Sequence, residues 1–326
     1  MPMYNKVLVT GCSGFIGKEV SEFFLSKNYK VYGLDKVKNN SLSKILFYKC
    51  DIMNKNNLLK IFKEINPHII VHLAAKADLI SNDISYYKEN YIGTKNIIDA
   101  ANLAPSIKRI IFTSTLLVNK IGTNNSQFLF YNPNTKYGES KVLMEKVIRF
   151  SKTKFQWCII RPTTIWGDNI DNHFKTLLNL IEKGFYFHIG FKKIYKSYGY
   201  IKNTAFQIYK LANAKNYLFD RKIYYISDYE NIELKQWINQ ISNLLIGKNV
   251  KLILPVFLAK FFAFIGDVLL IFGLKKFPIQ SFRLNNILIN FKVNTSSLKI
   301  VCGKLPYNLS DATLNFVKAH KLKKTI

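Results

Sequence analysis

An α/β fold, a Rossmann-type doubly wound parallel sheet followed by a smaller C-terminal substrate lobe, is what this sequence predicts. Three observations carry it. A short apolar run, Val7 to Val9, passes through Thr10-Gly11 to glycines 14 and 17 and into a helical pattern. Apolar strands and helical segments then alternate to about residue 165, the rhythm of parallel strands joined by helical crossovers. Asp35 closes the second strand 24 residues after Gly11, where a carboxylate can accept both hydroxyls of an adenine-side ribose. The expected division is 1–170 for the dinucleotide-binding domain and 171–326 for the substrate lobe, interleaved rather than independent.

The first strand, turn and helix set the chemistry. Gly11 permits a tight turn, Gly14 lets the backbone approach a pyrophosphate, and Gly17 lets the helix from Phe15 to about Lys27 lie against its strand. With Ser13, Phe15 and Ile16 they form a candidate cofactor cradle, because the helix's first N–H groups lack intrahelical partners and attract anions. The second strand is Lys30 to Asp35, and Asp35 favours NAD, since a 2′-phosphate there would meet like charge. A third strand covers 45–50, a helix about Asn56 to Ile65, and a fourth strand Ile69 to Leu73. Its end, His72-Leu73-Ala74-Ala75, is small enough for backbone to reach cofactor ribose and phosphate; His72 itself reads as structural. A long helix is expected from Tyr86 to Leu103. Its interior Gly93 costs helix propensity and so implies close contact with another element.

The fifth strand, Arg109 to Phe112, leads into Thr113-Ser114-Thr115. After a polar loop, Tyr137 and Lys141 start a helix that runs to Phe150. Four residues apart, they share one helical face. A free phenol near pKa 10 is a weak base at neutral pH. The Lys141 ammonium and a positive nicotinamide ring would favour its phenolate. Tyr137 would then take a hydroxyl proton as carbon loses hydride, with Thr115 holding the same oxygen and Lys141 fixing the nicotinamide ribose. A strand at 157–161 follows. Past residue 170 the pattern loosens into a helix from Phe174 to Lys183, a strand near Phe187–Ile189, helices 203–214 and 233–246, and a strand at 223–226.

Composition bounds the rest. Hydrophobic residues make up 48% of 326, enough for a large core. Four scattered cysteines with no CxxC argue against a metal site or a disulfide framework and fit a reducing compartment. No signal peptide precedes the first strand, so a cytoplasmic protein is expected. The net charge is +28, yet its lysines are dispersed and form no basic-aromatic module, so nucleic acid is not an expected partner. Residues 252–274 are nearly all apolar, broken by Pro255, Lys260 and Asp267. From Lys248 onward, twelve lysines and one arginine face two aspartates, a net of +11. Three readings stand for this stretch: a helix completing the core, peripheral attachment to the inner face of an anionic membrane, or a span.

These motifs resemble the extended short-chain dehydrogenase/reductase family, in its NAD-dependent epimerase/dehydratase branch. Thr10-Gly11-x-x-Gly14-x-x-Gly17, Asp35, Asp51-Ile52, His72-Leu73-Ala74-Ala75 and Asn90-x-x-Gly93-Thr94-x-Asn96 fall in the family's order. The resemblance implies NAD as cofactor, with Asp51 and Ile52 at the adenine and Leu73, Ala74, Ala75, Asn90 and Thr113 among its contacts. It gives Thr115, Tyr137 and Lys141 the catalytic places. Lys196 stands where an arginine usually meets a nucleotide-sugar diphosphate, and Arg283 is a second phosphate contact. It further implies a homodimer.

Leu116 and Leu117 stand where the family's dehydratases carry acids, which discounts elimination and decarboxylation. The expected activity is therefore C4 epimerisation of a UDP-hexose or UDP-N-acetylhexosamine through a transient 4-keto sugar. Two alternatives remain open. One is an NAD(P)-dependent sugar-nucleotide ketoreductase or a steroid-type or lipid-linked hydroxy dehydrogenase; the other is a non-catalytic NAD-sensing scaffold.

Overall fold

The computed structural model describes residues 5–38, 43–122, 128–168, 172–271 and 281–325. Its elements divide between two compact units. The first comprises Met1–Ile165, Gly199–Tyr229 and Asn294–Pro306, and the second Trp166–Tyr198, Glu230–Val293 and Tyr307–Ile326. The chain thus passes between them repeatedly.

In chain order the first unit begins with β1 (Lys6–Thr10), α1 (Phe15–Ser26), β2 (Lys30–Asp35), β3 (Leu46–Lys49), α2 (Lys55–Ile65) and β4 (Ile69–His72). A 3-10 turn (Ile84–Tyr87) and a π-helical turn (Glu89–Gly93) precede α3 (Thr94–Asn102) and β5 (Arg109–Thr113). A 3-10 turn (Leu116–Val118), α4 (Lys136–Phe150), β6 (Gln156–Pro162) and the short β7 (Thr164–Trp166) follow. The second unit opens with α5 (Asn172–Glu182), β8 (His188–Ile189) and β9 (Tyr195–Lys196). After β10 (Tyr198–Tyr200) the first unit resumes with α6 (Ile201–Ala212), α7 (Asn216–Phe219) and β11 (Lys222–Ile226). The remainder is β12 (Ile232–Glu233), α8 (Leu234–Ile246), β13 (Ile253–Leu254), α9 (Val256–Ile271), α10 (Ser281–Leu288), α11 (Ser296–Cys302) and α12 (Leu309–Thr325).

Seven parallel strands form the main sheet in the order β11-β6-β5-β4-β1-β2-β3. Its central strands are buried on both faces, which is why they read as unbroken apolar runs. Alternation of side chains sends Val7, Val9, Val31, Val71 and Ile111 to the side covered by α1, α6 and α11. Leu8, Leu34, Ile70, Ile110 and Phe112 face α2, α3 and α4. The strand order reverses between β1 and β4. That switch point opens a crevice at the strands' carboxyl ends, and the glycine turn, Asp35, Thr115, Tyr137 and Lys141 belong to this unit.

Two expectations need correction. The strand at 223–226 belongs to the main sheet, not to the substrate lobe, because the crossover helix α6 packs on α1 and returns β11 beside β6. The long helix from Tyr86 is three pieces, of which only Thr94–Asn102 is α-helical.

In the second unit, Trp166, Trp237 and Phe316 pack edge to face with centroids 4.9 and 5.6 Å apart, and Trp237 Nε1 donates to Thr313 Oγ1 at 3.0 Å. The apolar stretch is interrupted at Pro255, and 272–274 lie outside the described residues. Helix α9 has 16 residues, about 24 Å at 1.5 Å each, against the roughly 30 Å of a bilayer core. No helix among the described residues is long and apolar enough to cross a membrane.

Candidate active site

The glycine turn is shaped by close backbone packing. Gly11 has φ +70°, and a Cβ there would lie 2.6 Å from Ala74 N. A Cβ on Gly17 would lie 2.1 Å from the Gly11 carbonyl oxygen. These two positions let α1 begin against β1 and β4. Gly14 is the N-cap of α1 and brings no side chain to the first-turn N–H groups, which leaves them for an anion. Asp35 accepts from Ser13 N at 3.0 Å and from Lys36 N at 2.7 Å, so its carboxylate is held at the carboxyl edge of β2. Asp51 accepts from Met53 N and pairs with Lys36 Nζ at 3.0 Å. The Ile52 side chain is buried, and a Cβ on Gly93 would come within 2.5 Å of its Cδ1. The close contact that Gly93 implied is with Ile52.

A buried hydrogen-bond chain crosses the switch point. Ala74 N donates to Thr10 Oγ1 at 3.2 Å, and Thr10 Oγ1 lies 2.7 Å from His72 Nδ1. His72 Nε2 lies 3.0 Å from Thr94 Oγ1, which donates to the Asn90 carbonyl at 2.7 Å. Since the Thr94 hydroxyl proton is committed to Asn90, His72 must carry its proton on Nε2 and accept from Thr10. Burial first, and the Lys141 charge second, push this imidazole down to about 3. It is a neutral structural tie, as its sequence position implied.

Asn90 is only 1% exposed. Its amide accepts from Lys76 N at 2.8 Å and donates to Lys76 O and to Ser140 Oγ at 3.0 and 2.8 Å. Ser140 in turn donates to Tyr137 O. Asn90 therefore ties the loop after β4 to the first turn of α4, and both of its amide donor bonds belong to that tie. The π turn at Glu89–Gly93 is what carries it there, an irregularity common where a helix serves a site.

Thr115, Tyr137 and Lys141 come together at the end of β5. Thr135 caps α4 by accepting from Gly138 N at 3.0 Å. A Cβ on Gly138 would lie 2.2 Å from the Leu117 carbonyl oxygen, so glycine is what lets this helix end touch the turn after Thr115. Thr115 Oγ1 accepts from Leu117 N at 3.2 Å and bonds the Tyr137 phenol. Tyr137 is buried, and desolvation raises it to about 12 against the opposing effect of Thr115. Lys141 Nζ donates to Thr113 O at 2.8 Å and lies 3.5 Å from Met144 Sδ. Burial lowers its ammonium to about 7, opposed by the Glu145 charge. The expected lowering of Tyr137 by Lys141 is thus absent: the lysine is engaged with a strand carbonyl, and burial dominates the phenol.

Glu145 and Arg161 were not legible as site residues. Both are fully buried. Arg161 donates from Nε and Nη2 to the two Glu145 oxygens, each at 2.8 Å. Ser114 Oγ donates to Oε1 at 2.6 Å and the Tyr131 hydroxyl to Oε2 at 2.9 Å. One carboxylate therefore fastens α4 to the ends of β5 and β6, one helical turn beyond Lys141. The signal was a glutamate at i+4 from Lys141, but nothing in the sequence paired it with Arg161.

Lys196 belongs to the second unit and has a different occupation from the one expected. It is 3% exposed, and its Nζ donates to the carbonyls of Asn286 and Ile289 at the end of α10. Burial lowers it to about 8. A cation suits a helix C-terminus, and the ammonium is spent there instead of standing open to a diphosphate. Arg283 falls within α10, and its side chain lies outside the described residues.

The first unit's residues fit a dinucleotide. The cradle at Gly11 and Gly17 excludes any Cβ, Asp35 stands at the carboxyl end of β2, and the buried Thr113 Oγ1 has no hydrogen-bond partner. Among the described residues no cluster could hold a metal ion.

Comparison with known proteins bears on the same residues. The family model of the NAD dependent epimerase/dehydratase family matches residues 7–184. The N-acetyl-alpha-D-glucosaminyl-diphospho-ditrans,octacis-undecaprenol 4-epimerase of Escherichia coli O157:H7 is 27% identical over 333 residues, covering 99% of this chain and 98% of that one. The decarboxylating sterol-4-alpha-carboxylate 3-dehydrogenase of Mus musculus is 25% identical over 276 residues, 81% of this chain and 75% of its own. Among solved structures, the UDP-glucose 4-epimerase of Thermotoga maritima with UDP-glucose aligns with a TM-score of 0.74 at 18% identity, covering 98% of this chain and 99% of that chain.

Proposed function

Because this chain belongs to the NAD-dependent epimerase/dehydratase family and is an NAD-dependent enzyme of the extended short-chain type, we propose that it inverts C4 of a hexose or N-acetylhexosamine carried on a diphosphate. The observation that carries this reading is the buried Thr115–Tyr137 pair beside Lys141, with apolar Leu116 and Leu117 next to it. Family membership leaves the scaffold alternative without support.

The cradle of Gly11, Gly14 and Gly17, with Asp35, would hold NAD, and Thr113 and Lys141 would meet it at the carboxyl end of β5. When bound, that group supplies reversible hydride acceptance and a positive ring. Tyr137, as phenolate, takes the C4 hydroxyl proton while Thr115 donates to the same oxygen. The positive ring would favour the phenolate form, while Lys141, bonded to Thr113 O, would fix the ribose at the end of β5. The 4-keto sugar then turns about its diphosphate to present the opposite face of C4 for return of the hydride, and Tyr137 returns the proton to the C4 oxygen. No net oxidation results. Leu116 and Leu117 offer no acid or base to a neighbouring carbon, which keeps the reaction at C4.

UDP is the first reading for the carrier. A polyprenyl diphosphate is the second, favoured by the match to the E. coli enzyme over nearly its whole length. A homodimer is part of the proposal, supported by Leu103, Leu143 and Phe150, which stand exposed on α4 and just beyond α3. The test is incubation of the purified chain, without added cofactor, with UDP-N-acetylglucosamine, UDP-glucose and polyprenyl-diphosphate N-acetylglucosamine. Formation of the C4 epimer supports the reading. Strict dependence on added NAD(P)H, with release of a sugar or sterol of changed oxidation state, would replace it with the dehydrogenase alternative.

A further inference from the structure

Helix α9 turns its side chains the wrong way for a helix that completes a core. Its small residues face inward: Ala259 and Ala263 are fully buried and pack with Leu284 of α10, Ile189 and Leu254. Its large ones face out. Phe257 is 70% exposed, Phe261 58% and Phe264 63%. These positions recur at helical spacing and form one face, with Phe262 beside it at 41%. The neighbouring loop adds to them. Strand β13 pairs with β8, Gly190 N donates to Leu254 O, and a Cβ on Gly190 would press on Val256 at 2.6 Å. Phe191, the next residue, is 77% exposed. Exposed large apolar side chains in such a group mark an interaction surface.

The charge around them says what kind. Residues 183–194 and 247–266, the two stretches joined by β8 and β13, contain no aspartate or glutamate; of the acids that flank them, Glu182 meets His320 and Asp267 of α9 accepts from Ser281 N. They contain six lysines, Lys183, Lys192, Lys193, Lys248, Lys251 and Lys260, all exposed. Lys260 stands between Phe257 and Phe261 on the helix, and the Lys235 ammonium lies 6.0 Å from the Phe191 ring. Aromatic side chains projecting from a surround in which six lysines outnumber the single α9 acid, Asp267, match the requirements of an anionic lipid surface. Phenylalanines insert at the headgroup and acyl boundary, about 5–10 Å deep, while lysines meet lipid phosphates.

We propose that this face of the second unit, Phe191, Phe257, Phe261 and Phe264 with their lysine surround, docks the protein peripherally on an anionic membrane leaflet. The helix lies on the surface rather than through it. This attachment does not depend on which sugar, or which carrier, the active site takes.

The test is co-sedimentation of the purified full chain with vesicles of phosphatidylcholine alone and of phosphatidylcholine mixed with phosphatidylglycerol. The wild type should sediment with the mixed vesicles, less so as salt is raised, and remain largely in the supernatant with phosphatidylcholine. Phe257→Ser/Phe261→Ser/Phe264→Ser should weaken that binding more than tenfold. Lys192→Gln/Lys193→Gln/Lys251→Gln should weaken it by roughly fivefold per lysine at low salt. Circular dichroism and turnover of whichever sugar substrate the wild type accepts check that each variant is folded. Wild-type protein that ignores anionic vesicles, or phenylalanine and lysine variants that are folded and bind as the wild type does, would overturn the proposal. So would a dimer in analytical ultracentrifugation that the phenylalanine substitutions convert to monomer, since a second copy would then cover the face.

Discussion

At the scale of single residues, Tyr137 carries the chemistry. Tyr137→Phe keeps the ring and its packing and removes the proton acceptor, so turnover should fall by roughly 10²–10⁴-fold with NAD retention unchanged, as checked by product separation and by cofactor released on denaturation. The buried phenol, raised to about 12 in the protein alone, should ionise at lower pH once NAD is bound; a phenolate absorbance titration that is the same with and without NAD would count against the proposed base. Gly17→Ala places a methyl 2.1 Å from a carbonyl oxygen, and isothermal titration should show NAD binding lost or severely weakened. The tight glycine turn, the place of Asp35 at the end of β2 and the shared helix of Tyr137 and Lys141 were legible because each is a local pattern with fixed spacing. The partners of Lys196 in the structure were not legible for the opposite reason. Its partners, Asn286 O and Ile289 O, lie about ninety residues away and are backbone atoms, which leave no trace in residue identity.

At the scale of elements, α4 is held by both ends of its site-facing side. Thr135 and Gly138 set its start, Asn90 and Ser140 tie its first turn to the loop after β4, and Glu145 locks its middle to Arg161. The Glu145–Arg161 pair is completely dry, and breaking such a pair from one side costs about 3–5 kcal/mol. Glu145→Gln should therefore lower the denaturation midpoint markedly. Because Glu145 also sustains the Lys141 charge, any residual activity should show its alkaline limb at lower pH. A Glu145→Gln/Arg161→Met double variant should recover part of the stability, since no charge is then left unpaired. Strands and helices of the first unit were legible from apolar runs and periodicity. The π turn at Glu89–Gly93 was not, because its extra residue per turn is fixed by what Asn90 and Gly93 touch, not by a pattern along the chain.

At the scale of the whole molecule, buried bases set the response to pH. His72 and Lys141 both sit below their ordinary values because burial disfavours their charged forms. In each case the unfolded chain binds the proton more readily, so stability rises with pH across the interval between folded and unfolded values. For His72 that interval runs from about 3 to 6.5, and for Lys141 from about 7 to 10.5. The cofactor-free protein should accordingly gain thermal stability from pH 5 towards pH 9, and Lys141→Met should flatten the upper half of that rise when melting is followed by circular dichroism. The path of the chain between units was the least legible feature, since it depends on α6 returning β11 to the sheet and on α11 following it. That last helix buries Leu298 and Cys302 against α6. A nested series of C-terminal deletions would therefore not trim the protein towards a minimal nucleotide-holding fragment. Any stop codon ahead of Asn294 strips the N-terminal half of part of its own interior, and termination that early should register as loss of the entire polypeptide.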